Sequence, residues 1–339
     1  MNTPLVSFCT PTYNRPEFLR RTIQSCLAQT YPHFEIVITD NSTNDESAKM
    51  VASIKDPRIR YFSNNGNIGS LASHNRAVSL AQGKYLQLLM DDDLIKPRFL
   101  ELMVDAFEKH PTVGVVMAPM ELIDENDRRI FPKFYVIRTM KYRYRYQVGD
   151  GLIERKRLLR DFLTGGAGDY PCCVPSGILF RSEALRPTWP FDAEADFAGD
   201  LNTCMKIAPY WDFYYIDQVL SAWRYTTSCH TATLHQEGLK IQAFYYIMRR
   251  CLENKAVREM FRDEWDKLTR ESYYFCSCRA ATLNGLAAAR ARSPKLLLKT
   301  IKTLRKEDPH WINLLRLPIF AIREVAVSLF PPQLPPARE

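Results

Sequence analysis

The stretch Tyr85-Leu86-Gln87-Leu88-Leu89-Met90-Asp91-Asp92-Asp93 sets three carboxylates directly after a mostly apolar run. A short run of this kind, preceded by Gln82-Gly83, reads as a buried β-strand, so the acidic residues fall at its carboxyl end. Three adjacent carboxylates repel one another and are costly to desolvate unless a cation joins them. Hard oxygen donors on a short turn suit Mg2+ or Mn2+, which take one or two carboxylates and complete their shell with water and substrate phosphates. A solvated acidic loop is the alternative, and the surrounding sequence has to decide between the two.

On the N-terminal side the same unit recurs. Leu5-Val6-Ser7-Phe8-Cys9 reads as a strand, broken by Thr10-Pro11-Thr12-Tyr13. Asn14 is placed to cap the following helix, with Glu17 completing a capping box and Leu19, Ile23, Cys26 and Leu27 at helical spacing. Strand 34–39, the polar loop 40–45 and helix 46–54 repeat the pattern, as do strand 58–62, loop 64–69 and helix 70–81. Past the acidic triplet, Pro97 opens a helix to 108 and a fifth strand covers 113–118. This alternation predicts an α/β fold with a mostly parallel central sheet and flanking helices. Ligands of open α/β sheets collect at the carboxyl ends of strands, so residues 10–14, Asp40, Asn67 and Asp91 to Asp93 are expected to share one crevice.

The second half is less regular. Short strands are expected over 121–149, where Lys141-Tyr142-Arg143-Tyr144-Arg145-Tyr146 would place three cations on one strand face and three tyrosines on the other. Such a strand guards an exposed sheet edge or binds sugar or nucleic acid. A helix is expected over 151–163, then Gly165-Gly166-Ala167-Gly168, which lacks the Lys-Ser or Lys-Thr ending of a phosphate-cradling loop. A strand at 175–180 follows, and Asp200 sits at the first turn of a helix, where it serves as a favourable end charge if nothing else. Strands at 213–216 and 220–224 close this part. Beyond 235 the chain reads as mainly helical, with Lys295, Lys299, Lys302 and Lys306 forming a basic stripe beside Leu297, Ile301 and Leu304. Residues 311–330 are apolar but interrupted by Arg316, Pro318, Arg323 and Glu324, which fits a helix lying in a membrane interface or a helical cap on the core. An extended tail ends the chain.

With 339 residues, 46% hydrophobic and 25% charged, the chain has enough apolar content for one large domain or two smaller ones, and disorder is excluded as its default state. The formal net charge of +8 favours acidic partners: nucleotides, anionic lipid headgroups or nucleic acid. Nine cysteines without zinc-site spacing point to reduced thiols in the cytoplasm. No secretory signal is expected at the N-terminus, and no segment reaches the roughly 20 uninterrupted apolar residues of a membrane span.

Taken together, Val6-Ser7-Phe8-Cys9-Thr10-Pro11-Thr12-Tyr13-Asn14-Arg15, Asp40-Asn41-Ser42-Thr43-Asn44-Asp45, Asn67-Ile68-Gly69, His74-Asn75, the acidic triplet before Pro97, Pro175-Ser176-Gly177, Phe191-Asp192 and Gly199-Asp200-Leu201-Asn202 resemble glycosyltransferase family 2. That family comprises inverting nucleotide-sugar transferases of the GT-A fold, and the resemblance runs from about residue 4 to 228. It implies a GT-A domain over 1–234, divided into a nucleotide-binding half (1–118) and an acceptor half (119–234), then a helical region (235–330) and a tail (331–339). It assigns Thr10, Pro11, Thr12, Tyr13, Asn14, Asp40, Asn67, Asn75 and Asp91 to the nucleotide. Aligned on Pro97, Met90 stands where a first aspartate is usual, which makes Asp92 the principal metal ligand, with Asp91 or Asp93 assisting at the ribose or through water, Asp93 grouped with the metal, and His230 as a further candidate. Ser176, Gly177 and Arg224 fall to the donor and acceptor sugars, and Asp200 to general-base catalysis. The implied reaction transfers a sugar from a UDP- or dTDP-linked donor, with Mn2+ or Mg2+, to a hydroxyl of a cell-envelope saccharide, free or lipid-linked. It would take place in the cytoplasm or at the inner face of the cytoplasmic membrane, with a peripheral contact through 295–330 and no nucleic-acid partner. Two rivals stand beside it. A sugar nucleotidyltransferase would want a glycine-rich basic loop that 10–15 does not supply, and a non-catalytic module would bind nucleotide or nucleic acid through basic surface alone.

Overall fold

The computed structural model describes residues 5–130, 149–165, 175–225, 241–290 and 294–307. Strand and helix alternate first: β1 Val6–Thr12, α1 Pro16–Leu27, β2 Phe34–Asp40, α2 Glu46–Ser53, β3 Ile59–Ser63, α3 Ser70–Leu80 and β4 Tyr85–Leu88. After the acidic turn come β5 Leu94–Ile95, α4 Phe99–Lys109, β6 Val113–Met117, β7 Met120–Ile123 and β8 Arg129–Ile130. The next described stretches hold β9 Gly151–Ile153, α5 Arg155–Gly165, β10 Ile178–Arg181, α6 Ser182–Leu185, α7 Gly199–Ile207, β11 Asp212–Tyr215 and β12 Ser221–Arg224. A helical C-terminal region follows, with α8 Ile241–Glu253, α9 Lys255–Met260, α10 Trp265–Arg290 and α11 Pro294–Glu307.

Among the described residues the central sheet has eight strands in the order β3-β2-β1-β4-β10-β6-β11-β9. Strands β3, β2, β1 and β4 pair in parallel, as do β6 and β11. Strand β10 runs against both β4 and β6, and β9 against β11, so all but these two strands share one direction. A smaller sheet, β5-β12-β7-β8, lies beyond the acidic turn. Side chains alternate across the pleat. Val6 and Phe8 of β1 join Leu19, Ile23, Phe99, Met103 and Phe107 in one buried cluster, whereas Cys9 joins Ala77, Val78, Leu86, Leu88 and Phe180 in a second. The second cluster also takes in Leu201 and Cys204 of α7 and Tyr245, Ile247 and Leu268 of the C-terminal helices, which therefore share the core of the sheet.

Three local expectations are corrected. Strand β1 continues through Pro11 to Thr12, because its pairing with β4 ends at Cys9↔Leu88 and only β2 borders it beyond; a proline missing its N–H is tolerated where a strand is paired on one side. Gly151–Ile153 is a strand on β11, not the start of a helix, with Leu152 48% exposed while Ile153 is buried. The cap of α1 is Arg15, and no side chain caps it. The aromatic and basic alternation at 141–146, residues 166–168 of the glycine cluster, His230 and residues 308–339 lie outside the described residues.

Gly83 shows how tightly the strand that delivers the triplet is seated. A Cβ there would lie 2.6 Å from the Tyr85 carbonyl oxygen and 2.7 Å from the Ser7 backbone nitrogen. Its own N–H donates to Ser7 Oγ at 2.8 Å, and Ser7 Oγ in turn donates to the buried Glu35 carboxylate. Backbone atoms cannot step aside as a side-chain end can, so Gly83→Ala is expected to lower the unfolding free energy by about 2–3 kcal/mol in urea titration. A loss within about 0.5 kcal/mol, the range of an ordinary surface change, would contradict this packing.

Candidate active site

The register of the sheet assembles the site. Cys9 lies beside Leu88, so three residues farther along both chains Thr12 comes beside Asp91, while Thr12 also pairs with Asp40 across β2. Thr12 Oγ1 donates to Asp91 Oδ2 at 2.7 Å. Arg15 Nη1 donates to Asp92 Oδ2 at 2.9 Å and stands 3.7 Å from Asp91 Oδ1. Below the turn, Thr22 Oγ1 of α1 lies 2.9 and 2.8 Å from the Asp91 and Asp93 carbonyl oxygens and holds the loop to the helix.

The three aspartates are not equivalent. Asp93 is fully buried, accepting a hydrogen bond from Ser176 Oγ on one oxygen and from the Arg224 N–H, at 2.9 Å, on the other. Its carboxylate ties β4 to the segments before β10 and in β12. Arg224 is enclosed in the same way. Only 1% exposed, it spends its guanidinium inside the protein: Nε on the Asp92 carbonyl oxygen at 2.8 Å, Nη1 on the Asp124 carbonyl oxygen and Nη2 on Asp127 Oδ1, over the Phe18 ring. It shapes the acidic turn from behind. Ser176 and Gly177 are likewise buried; a Cβ on Gly177 would meet the Ala118 carbonyl oxygen and Met120 at 3.0 Å. Their closeness lets Gln87 Nε2 reach the Ser176 carbonyl at 2.8 Å, again from inside.

Asp91 and Asp92 keep a little exposure, 11% and 18% of their side chains. Burial raises both carboxyl pKa values; for Asp91 the charge of Asp92 adds to the rise, while Thr12 and Arg15 oppose it, and for Asp92 the charges of Arg15 and Arg224 oppose it. Crowded, partly desolvated carboxylates held by one monovalent guanidinium are a donor set that a hard dication suits. Among the described residues no group of three or more His, Cys, Asp or Glu side chains is arranged to hold a metal ion. A cation here would draw on one or two carboxylates and on the phosphates of a substrate, as Mg2+ sites commonly do.

Around this centre the first two loops are tied together. Asn14, at φ 51, turns the chain after Tyr13 through the left-handed region that asparagine tolerates. Its N–H donates to Ser42 Oγ at 2.8 Å and its Oδ1 accepts from the Thr43 N–H at 3.0 Å, so the side chain expected to cap α1 instead fastens loop to loop. Asp40 is 2% exposed and accepts from Tyr61 OH and the Ser42 N–H, both at 2.6 Å. Thr10 is fully buried, Pro11 half-buried, and Tyr13 is 45% exposed at the rim. Asn67 Oδ1 accepts from the Gly69 N–H at 2.9 Å, shaping the exposed loop before α3.

Asp200 belongs to a second group. It lies in the first turn of α7, where the Leu201 N–H donates to its Oδ1 at 2.8 Å. The ring of Phe191 packs against Gly199, and the Phe191 N–H donates to Asn75 Oδ1 of α3 at 3.3 Å, so α3 and the start of α7 are joined through one residue. Asp192 then clamps α7: it accepts from Lys206 Nζ at 2.6 Å, Asn202 Nδ2 at 2.9 Å and Tyr246 OH of α8 at 3.0 Å. Partial burial works to raise its pKa, but these three hydrogen bonds outweigh that and hold the carboxyl below its usual range. Arg15 and Tyr61 are the site residues that sequence reasoning missed. Arg15 closes the first loop motif and was visible as a lone cation beside it, whereas nothing local marks Tyr61 as the partner of Asp40.

An α/β sheet with acidic and polar loops gathered at the carboxyl ends of parallel strands has the architecture of the GT-A fold. S. aureus TarS, solved in complex with UDP-GlcNAc, superposes with a TM-score of 0.57 at 15% identity, covering 91% of this chain and 93% of that one. The mannosyltransferase PcManGT of Pyrobaculum calidifontis, solved with GDP-Man and Mn2+, gives 0.57 at 16% identity over 98% and 89%. In sequence, the profile of Glycosyl transferase family 2 matches residues 7–186, and the chain belongs to that family. An uncharacterized glycosyltransferase of Methanocaldococcus jannaschii is 34% identical over 148 residues, 42% of this chain and 51% of the relative. The putative colanic acid biosynthesis glycosyl transferase WcaA of Escherichia coli K12 is 37% identical over 105 residues, 30% and 38%. The chain thus spans about half, or less, of the length of these two relatives.

Proposed function

We propose that the protein is an inverting, divalent-cation-dependent glycosyltransferase that moves a sugar from a nucleoside-diphosphate donor to an acceptor hydroxyl. The observation that carries this reading is the Thr12, Asp91, Asp92 and Arg15 group at the joined carboxyl ends of β1 and β4 in a family 2 chain. TarS is named with UDP-GlcNAc and PcManGT with GDP-Man and Mn2+, which supports a nucleotide-sugar in the same cleft. Asp92, with Asp91, would hold Mn2+ or Mg2+; the bound cation neutralises charge that develops on the leaving diphosphate. Asp91, already held by Thr12, has acceptor capacity left for a ribose hydroxyl. Asp40 would accept from the ring N–H of uracil or thymine with the acceptor capacity left beside its bonds from Ser42 and Tyr61, which favours a UDP- or dTDP-linked donor, and Tyr13 at the rim would flank the base. Asp200 would take the acceptor's proton as its oxygen attacks the anomeric carbon from the face away from the diphosphate, inverting the configuration.

In this reading 1–118 serves the donor and 119–234 the acceptor, a cell-envelope saccharide, free or lipid-linked; the likeness to a relative named for colanic acid biosynthesis supports such an acceptor. Calorimetry with UDP tests the donor half. Binding should need Mn2+ and weaken at least about tenfold in EDTA, whereas salt-sensitive binding to any oligonucleotide with no response to UDP would indicate a module that only binds nucleic acid.

The C-terminal helices bear on location. Among the described residues no helix is long and apolar enough to cross a membrane. In α11, Leu304 is buried while Leu298, Ile301, Lys302 and Lys306 are exposed, which supports peripheral contact with an anionic bilayer at the inner face of the cytoplasmic membrane. Lys302→Glu with Lys306→Glu should reduce sedimentation with anionic liposomes by about tenfold; unchanged sedimentation would remove this contact.

A further inference from the structure

We propose that Arg15 is an internal counter-ion that a divalent cation must displace, and that the displaced guanidinium then binds the donor's diphosphate. This rests on the transferase reading above. The geometry is a shared guanidinium: Nη1 sits 2.9 Å from Asp92 Oδ2 and 3.7 Å from Asp91 Oδ1, between the two carboxylates assigned to the cation. A dication and a guanidinium cannot occupy that space together. The side chain is 43% exposed against 11% and 18% for its two partners, so Arg15 can swing outward while the aspartates stay in place. Its backbone does not move with it, because the preceding Asn14 is fastened to Ser42 and Thr43.

Charge explains why the exchange is useful. With both carboxylates ionised, one guanidinium leaves a surplus negative charge, which a dication in its place removes in full. The freed arginine is then within a side chain's reach of a diphosphate that shares the cation, and its planar fork of donors matches phosphate oxygens. Arg15 thus offsets the repulsion between the two carboxylates before a cation binds, and it makes cation and donor binding mutually supportive: the cation releases the group that the diphosphate needs.

The test reads cation and nucleotide binding directly. Free Mn2+ is followed by electron paramagnetic resonance without nucleotide, for the wild-type chain, Arg15→Gln, Arg15→Lys and Asp92→Asn. Arg15→Gln should bind Mn2+ about fivefold more tightly than wild type, the size expected for loss of one partly exposed ion pair, and Arg15→Lys should fall near wild type. At saturating Mn2+, Arg15→Gln should bind UDP about tenfold more weakly, as for loss of a charge-assisted contact. Unchanged or weaker Mn2+ binding by Arg15→Gln, or unchanged UDP affinity, overturns the proposal. The Asp92→Asn protein separates the two levels. If it loses Mn2+ while Arg15→Gln gains nothing, the role of Arg15 fails alone; if it keeps full Mn2+ affinity, the cation reading itself fails.

Discussion

Asp200→Asn is expected to lower kcat for sugar transfer about a thousandfold while donor affinity stays within about twofold of wild type. The substitution keeps shape and hydrogen-bonding capacity but removes the base. Asp200 lies in the first turn of α7, which meets the donor half through Phe191 and Asn75, so in this reading the nucleotide should not register its loss. The competing role is a helix-end charge in the first turn of α7, which is worth about 0.3–1 kcal/mol of stability and nothing to kcat. Steady-state kinetics with a matched thermal melt distinguish them. A small drop in melting temperature with an unchanged kcat would leave Asp200 as a cap only.

Asp92→Asn is expected to weaken Mn2+-dependent UDP binding at least about a hundredfold, read by calorimetry, because the neutral amide no longer offers a hard anionic ligand to the cation. The effect should concentrate in ligand binding. Asp92 is the least enclosed of the three carboxylates, and its partner Arg15 is 43% exposed, so folding should change little. Full cation-dependent binding by the variant would remove Asp92 from the site.

Much of the architecture was legible because hydrophobic period and turn chemistry act locally. Alternating strand and helix in the first 120 residues predicted the parallel sheet, and the strand ends predicted where Thr12, Asp40 and Asp91 would gather. What the sequence did not disclose depended on distant partners. Nothing near Arg224 says that Asp92, Asp124 and Asp127, each about 100 residues away or more, will close around its guanidinium. Asn14 carries a real capping signal, yet contacts with Ser42 and Thr43 override it. The triplet is uniform in composition, but the turn points Asp93 into Ser176 and the Arg224 backbone and leaves Asp91 and Asp92 beside Arg15.

The measurement that bears most directly on the central claim is turnover of a panel of nucleotide sugars with Mn2+ and saccharide acceptors, following free nucleoside diphosphate and the anomeric configuration of the product. One donor should be consumed at least about tenfold faster than the rest, releasing nucleoside diphosphate and giving a product of inverted configuration, with Asp200→Asn inactive. Retained configuration, or cleavage that yields nucleoside monophosphate instead of diphosphate, would contradict it.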